Sequence, residues 1–440
     1  MVRNVRRRDV LAGIGAAGVT GLAGCAGDDP DDDNGNGNGN GNGNGNGNGN
    51  GNGNGNGETG RELRLGVIMP ETGDLGSVGP LIRDGALLAI DQVNDAGLDY
   101  TVDVGVEDSQ SESQASISAA NSLINAGYPS IVGPASSDSF EAVAESAYIP
   151  NSVVGISPSS TAVRLSDLDD NGFTLRTCGT DDLQGQVIAE VAVDQFDAST
   201  AATIFLNDAY GQGLDEEFTG AFEERDGQVL NHVSIEGEQA TYSSQWSDAL
   251  NDDPDVVLVV AFPQTGIQLF RDYYQEFDAD HDPTIIVPDG LRDSTLPDEV
   301  DNPMTNVVGT APTFGGPGAE FFEEAYTEAY DTPPGVFVAE AYDAAAVLML
   351  ANAAGGENDG TAIRDNIREI ANPNGEKTII EPQDLAEGVE LAANGEAIEY
   401  NGVSSNIEFD DNGDQRFVFF EQFSFTEDGI QQDRLIEFET

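Results

Sequence analysis

Short apolar runs alternate with segments of helical periodicity over most of the chain. Strands are predicted at 65–69, 102–106, 131–133, 153–156, 203–206, 229–235, 256–261 and 284–287. Between them, apolar residues recur every three or four positions, which predicts helices at 82–93, 113–126, 140–147, 213–225, 242–250 and 265–277. Strict alternation of strand and helix is typical of parallel sheets that are covered by helices on both faces.

The alternating pattern falls into two consecutive runs, one before residue 160 and one after residue 200. At roughly 150 residues per domain, a chain of 440 residues suggests two or three domains. We therefore predict an α/β protein with two doubly wound parallel-sheet lobes. Helices near 319–330 and 336–352 and a β-rich segment at 416–425 are also predicted.

Four predicted strands end in residues suited to a small ligand, and sites in such folds lie beyond the carboxyl ends of the strands. Two of these ends, 133–137 and 157–161, offer hydroxyl and main-chain N–H groups that suit a carboxylate. The other two carry Phe262 and Asp289. Together they complement the charges of an α-amino acid. Taken singly, the hydroxyl clusters are more simply explained as helix N-caps, and Asp289 as one surface acid among 80 acidic residues.

The N-terminal residues 1–24 are predicted to be an export signal. Arg7 and Arg8 precede an uncharged stretch over 10–27, and this pattern resembles the twin-arginine signal. The stretch is short and rich in glycine for a membrane span, which needs about 20 strongly apolar residues.

The segment that follows is predicted to attach the protein to a membrane. Leu-Ala-Gly-Cys at 22–25 resembles a lipobox, in which Cys25 is the lipidated first residue of the mature protein. Residues 25–62 include twelve Asn-Gly repeats, which cannot bury a core, so we predict a disordered tether.

The strongly negative net charge excludes nucleic acids as partners. The chain has 80 Asp and Glu residues against 17 Lys and Arg, a formal net charge of −63. No basic surface remains to bind a polyanion, so we expect no nucleic-acid partner. Dispersed carboxylates with a single lysine, Lys377, indicate an extreme halophile, because charge repulsion is screened within about 3 Å at 1 M salt.

Enzyme motifs are missing. His232 and His281 lie outside any HExxH pattern, and Lys377 is not part of a phosphate-binding loop. Residues 167–172 match the first half of a calcium loop, but its twelfth position is Cys178 instead of Glu. We therefore predict a protein that is not an enzyme and needs no cofactor or metal. Cys178 is expected to be a small buried apolar residue.

Several motifs then occur in a recognisable order. They are LGVIMPETGDLGSVG (65–79), GALLAIDQVNDAG (85–97), IVGPASSDS (131–139), GISPSSTAV (155–163) and NDAYGQG (207–213). Over about residues 63–440 the chain resembles the type I solute-binding proteins of branched-chain amino-acid ABC importers.

The resemblance implies a set of ligand-binding residues: Ser137, Ser159, Thr161, Tyr210, Phe262 and Asp289. Ser137 would hold the ligand carboxylate and Asp289 its ammonium group. A position that often carries an aromatic wall in this family is Val78 here.

The resemblance also implies a layout and a partner. Three crossovers would join a first lobe, 63–178 plus 309–415, to a second, 179–308 plus 416–440, with the ligand in a central cleft. We expect a monomer, lipid-anchored on the outer face of the cytoplasmic membrane, that delivers an amino acid to an ABC permease. Two alternatives remain: the same body binding a short amide, urea or aromatic acid for uptake, and a surface ligand sensor, which would be expected to carry a signalling helix or kinase domain.

Overall fold

The computed structural model describes residues 61–439. The predicted export signal, the lipobox cysteine Cys25 and almost all of the tether lie outside the described residues. No helix within 61–439 combines the length and the apolar character that crossing a membrane requires.

The described chain alternates strands and helices. The strands are β1 (Glu62–Met69), β2 (Thr101–Asp108), β3 (Ser130–Val132), β4 (Val154–Ser157), β5 (Thr174–Arg176), β6 (Thr200–Leu206), β7 (Gln228–Ile235), β8 (Val256–Val260), β9 (Thr284–Val287), β10 (Val307–Thr313), β11 (Thr378–Ile380), β12 (Ile398–Tyr400), β13 (Phe417–Thr426) and β14 (Gly429–Glu439). The main α-helices are Gly79–Asp95, Ser113–Ala126, Ser137–Val143, Asp181–Glu190, Ala209–Glu223, Ser243–Ala249, Pro263–Glu276, Leu296–Val300, Ala319–Tyr330, Val338–Gly355, Gly360–Ala371 and Leu385–Ala393.

Two sheets form the centres of two lobes. The first lobe is built on a parallel sheet with the strand order β2-β1-β3-β4-β5. The second lobe is built on the order β14-β13-β10-β9-β8-β6-β7, in which β6 to β10 are parallel and the β13–β14 hairpin is antiparallel. The predicted α/β class with two parallel-sheet lobes is confirmed.

The chain passes between the sheets three times: after β5, after β10 and before β13. The boundary that we placed between residues 308 and 309 falls inside β10, which pairs with β9 and β13 along its length. That boundary is wrong by several residues, because a strand cannot leave its sheet until its hydrogen bonds end, and β10 continues to Thr313.

One helix, Val338–Gly355, is buried on nearly every side. It carries an acid, Asp343, whose carboxylate accepts hydrogen bonds from Tyr400 Oη at 2.7 Å and from Ser404 N at 2.8 Å. Burying an unpaired carboxylate is very unfavourable, so these neutral donors are what make the position tolerable. They also fix the C-terminal loop of the first lobe to this helix.

Close contact between two helices of the first lobe gives a stability test. A Cβ atom on Gly85, inside the helix Gly79–Asp95, would lie 2.1 Å from the carbonyl oxygen of Val338. Gly220, in the helix Ala209–Glu223, has no heavy atom within 4 Å of the same point. We expect Gly85→Ala to lower the free energy of unfolding by about 1–3 kcal/mol, because it overpacks the contact.

Gly220→Ala is the matched control for Gly85→Ala. It should raise stability by roughly 0.5–1 kcal/mol, because alanine loses less conformational entropy than glycine in a helix. Denaturant unfolding in molar salt measures both changes. Equal effects of the same sign would contradict the packing described here.

Candidate ligand-binding site

A cavity lies between the two lobes. Its walls combine apolar side chains with a small number of polar groups, as is typical of small-molecule sites. Its lining residues are Pro70, Leu75, Val78, Ile82, Ala135, Ser136, Ser137, Ser159, Tyr210, Phe262, Asp289, Gly290, Val336 and Phe337.

The topology explains why these residues meet. In the first sheet the strand order reverses between β1 and β3, and in the second between β6 and β8. Chains that leave neighbouring strands at such a point diverge and open a crevice. Leu75, Ser137, Tyr210 and Phe262 all lie just beyond these four strands, so the cavity is formed where the two crevices face each other.

Hydroxyl and main-chain groups form one wall of the cavity. Ser137 begins a helix, and its Oγ accepts a hydrogen bond from Ala162 N at 3.2 Å. Ser159 Oγ donates to the carbonyl oxygen of Ala135 at 3.0 Å. These two bonds hold the segments after β3 and β4 together, so their polar groups face the cavity in a fixed arrangement.

An acid and an aromatic pair form the opposite wall. Tyr210 Oη donates to Asp289 Oδ1 at 3.1 Å and accepts from Gly290 N at 3.1 Å. The Tyr210 ring stacks on Phe262, with 5.4 Å between the centroids. Burial raises the pKa of the Asp289 carboxyl to about 6, although interactions with Gln184 and Tyr210 favour its ionised form.

A second acid, Asp181, was not among the predicted site residues, and it is fully buried at the start of the helix Asp181–Glu190. Among the residues that the structure describes, neither of its carboxylate oxygens has a hydrogen-bond partner of ordinary geometry, and the same holds for Thr161 Oγ1 and Gln184 Oε1. Burial and then the nearby charge of Asp289 raise the pKa of Asp181 well above its usual range. A three-residue strand, β5, precedes Asp181, so no long apolar run marked this strand end.

The structure brings five of the six expected ligand residues to this cavity: Ser137, Ser159, Tyr210, Phe262 and Asp289. Thr161 does not line it and lies buried near Asp181. The role of all six in ligand binding stays a prediction.

Apolar side chains close the remaining side of the cavity. Leu75 and Val78 come from the loop after β1, and Val336 and Phe337 precede the buried helix Val338–Gly355. Phe337 has a left-handed backbone, with φ at 63°, which is unusual for a residue with a bulky side chain. Its contribution was not predicted, although the all-round apolar character of the helix that follows signalled a buried position.

Buried groups outside the cavity support its walls. The Arg176 guanidinium donates to Ala162 O at 2.8 Å and to Asp414 Oδ1 at 2.6 Å, and so anchors the segment after β4. Cys178 is 1% exposed, and burial raises the pKa of its thiol, as expected of a residue used for packing. Within 61–439, no three His, Cys, Asp or Glu side chains are grouped in a way that could hold a metal ion.

Comparison with known families agrees with this geometry. Residues 62–384 match the model of the family described as periplasmic binding protein. The chain therefore belongs to the periplasmic binding protein family, and its two-lobed architecture is of type I. The fold class and the resemblance found from the sequence are both confirmed.

Individual relatives are similar to this chain at 23% to 30% sequence identity. A Leu/Ile/Val-binding protein, BraC3 of Rhizobium johnstonii, is 30% identical over 53% of this chain, and the alignment spans 63% of that relative's length. The chemotactic signal transduction system substrate-binding protein BasB of Halobacterium salinarum is 25% identical over 79% of this chain and 84% of its own. A crystal structure of a leucine-binding protein, LivK of Thermotoga maritima, shares the fold with a TM-score of 0.72 at 23% identity, over 85% of this chain and 98% of that one.

The raised pKa of Asp289 predicts a pH effect on the ligand-free protein. Because the folded state binds this proton more tightly than the unfolded chain, stability should fall as the pH rises from about 4 to about 6. Over this pH range the Asp289→Asn variant should lose up to about 3 kcal/mol less unfolding free energy than the unsubstituted protein. Melting temperatures of both proteins in molar salt between pH 4 and 7.5 measure this difference, and parallel curves would contradict the raised pKa of Asp289.

Proposed function

We propose that this protein is an extracellular substrate-binding protein of an ABC importer. It captures an amino acid, branched-chain or a related aliphatic one, between its two lobes and delivers it to a membrane permease. The observation that carries the proposal is the placement of hydroxyl groups, a buried acid and an apolar wall around one cavity. An aliphatic α-amino acid has the three complementary parts.

The ligand carboxylate is assigned to the first lobe. Ser137 offers a hydroxyl proton there, because its Oγ accepts from Ala162 N, and the start of the helix Ser137–Val143 offers main-chain N–H groups. Ser159 lines the same wall, with its hydroxyl proton donated to Ala135 O. An anion gains both hydrogen bonds and the favourable end of the helix dipole at such a position.

The ligand ammonium group is assigned to Asp289, in the second lobe. Tyr210 orients this carboxylate by donating to Oδ1, and the buried acid Asp181 lies close enough to interact with its charge. A bound ammonium would favour the ionised acids, because a buried carboxylate is costly until it is paired. Charge at both ends of the ligand therefore requires groups from both lobes, which favours the closed cleft.

The ligand side chain is assigned to the wall that Leu75, Val78, Val336 and Phe337 form. Burial of an aliphatic side chain there contributes about 25 cal/mol per Å² of apolar surface removed from water. The relatives named Leu/Ile/Val-binding proteins support this choice of side chain.

The alternative ligands fit less well. An aromatic acid has no ammonium group, so Asp289 would stay buried without a cation. A short amide or urea has no carboxylate for the hydroxyl wall. A surface sensor is supported by the similarity to BasB, which is named as part of a chemotactic system. That function would share the binding step and differ in the membrane partner.

Ligand binding gives the main test. We expect L-leucine, L-isoleucine or L-valine to raise the melting temperature in molar salt, with a stabilisation of about 2.7 kcal/mol at 100 times the Kd. Asp289→Ala should abolish this shift, because the ammonium group loses its partner. Calorimetric titration of each amino acid measures the affinity directly.

The control for Asp289→Ala is Asp293→Ala. Asp293 is equally buried but bonds Thr295 N and Oγ1 and does not line the cavity. It should leave the affinity unchanged at a temperature where the variant is folded. Binding of amides or aromatic acids, without binding of any amino acid, would refute the proposal.

We also propose that the protein is exported and held at the membrane by a lipid on Cys25, with a monomeric binding body. The twin-arginine pattern and the lipobox support this, and both precede the described residues. We expect Cys25→Ala to release the protein into the medium, because the anchor is lost. Cys178→Ala, the only other cysteine substitution possible, should leave it in the membrane fraction.

Mass spectrometry of the mature N-terminus complements that fractionation. A first residue other than Cys25, or an unmodified Cys25, would refute the anchor without affecting the assignment of the binding site.

A further inference from the structure

Two carboxylates of the first lobe contact helices of the second. Asp74, in the loop after β1, accepts from Thr265 N at 2.9 Å and from Thr265 Oγ1 at 2.7 Å. The carbonyl oxygen of Asp74 accepts from Gln264 N at 3.3 Å. These three donors lie in the first turn of the helix Pro263–Glu276.

The second contact lies on the other side of the cleft. Asp138 Oδ1 accepts from Ala209 N, the first residue of the helix Ala209–Glu223, at 3.2 Å. The same oxygen accepts from Arg164 at 2.6 Å, within its own lobe. Asp138 is therefore shared between a cation in the first lobe and a helix end in the second.

Helix ends are suitable partners in so acidic a chain. The first N–H groups of a helix have no partner within the helix and carry a partial positive charge. The helix Pro263–Glu276 is preceded by Phe262, whose side chain cannot cap it, so Asp74 supplies the cap from the other lobe. Ion pairs such as Arg83–Glu71, Arg176–Asp414 and Arg292–Glu421, by contrast, each lie within one lobe.

The contacts of Asp74 and Asp138 with the second lobe lie next to the cavity in the chain. Asp74 precedes Leu75, and Asp138 follows Ser137, and both of those neighbours line the cavity. The loop of Asp74 is held rigidly, since Ser111 Oγ accepts from Leu75 N at 3.0 Å and donates to Thr72 O at 3.1 Å. A shift of either carboxylate therefore moves a wall of the cavity.

We propose that Asp74 and Asp138 are positioning residues that hold the cleft shut by capping two helices of the opposite lobe, and so raise the affinity for the ligand. Opening the cleft exposes both carboxylates and both helix ends to water, which competes for the same hydrogen bonds. The caps are made only in the closed form, so each shifts the equilibrium toward it. Asp74, with three hydrogen bonds, contributes more than Asp138.

The first experiment uses L-leucine as the probe, and in that choice it rests on the proposed function. Asp74→Ala should weaken leucine binding about two- to thirty-fold, the range that loss of a helix cap covers. In the ligand-free protein it should open the cleft without unfolding either lobe. Asp138→Ala should have a smaller effect, and Asp74→Asn, which keeps one acceptor oxygen, should restore part of the affinity.

Asp359→Ala is the matched control. Asp359 Oδ1 caps Ala362 N at 3.0 Å within the first lobe, away from the cavity. This variant should lower the stability of the ligand-free protein and leave leucine affinity unchanged. The proposal is overturned if Asp74→Ala behaves like Asp359→Ala.

The second experiment needs no ligand. Hydrogen exchange, read by mass spectrometry on peptides that cover 207–213 and 263–268, reports on both caps. Asp74→Ala should speed exchange at Ala209 as well as at Thr265, because opening breaks both caps together. Faster exchange at Thr265 alone would overturn the proposal. If leucine fails to bind the wild type, the proposed function fails, and this exchange result still decides whether the caps close the cleft.

Discussion

The carboxylate of Asp289 is buried between the two lobes, and the groups that interact favourably with it, Tyr210 and Gln184, are neutral. Ionising it in that position is unfavourable, which is why its pKa rises to about 6. The charge of Asp289 in turn helps to raise the pKa of the nearby buried acid Asp181. Within residues 61–439 the buried Asp289 carboxylate therefore lacks a cationic partner, and a cationic group of a ligand would be most favourable next to it.

The scarcity of cations explains how the rest of the chain treats its acids. With 17 Lys and Arg for 80 Asp and Glu, most buried carboxylates must be satisfied by neutral donors. Asp343 is bonded by Tyr400 and by main-chain N–H groups, and Asp74 is bonded by the first turn of a helix. Such donors carry no formal charge, so the strength of their hydrogen bonds does not depend on salt in the way that exposed ion pairs do.

The sequence was informative where a residue follows a strand that apolar residues mark. Ser137, Phe262 and Asp289 were found because apolar residues run through β3, β8 and β9 and because ligands bind beyond strand ends. Asp181 was missed because β5, with the sequence Thr-Leu-Arg, contains one apolar residue, and Phe337 because it precedes a helix instead of following a strand.

Other features could not be read from periodicity. The helix that carries Tyr210 begins at Ala209 instead of residue 213, because Asp208 caps it by accepting from Gly211 N at 2.7 Å. The exposed strand β14 has no apolar alternation strong enough to predict it, and it is specified by pairing with β13. The contacts of Asp74 and Asp138 join residues far apart in the chain, and no local pattern encodes the distance between two lobes.

The arrangement of the cavity also explains why binding and closure belong together. Each lobe supplies only one polar wall: hydroxyl groups from the first, and an acid oriented by a tyrosine from the second. Neither wall alone satisfies both charges of an amino acid, so a half-bound ligand leaves one charge in water. The apolar wall comes from the first lobe, and two of its residues, Leu75 and Val78, follow Asp74 closely in the chain. With the ligand groups assigned as proposed, closing the cleft buries the side chain, pairs Asp289 and completes the proposed Asp74 cap in one movement, and the free energy of each step favours the next.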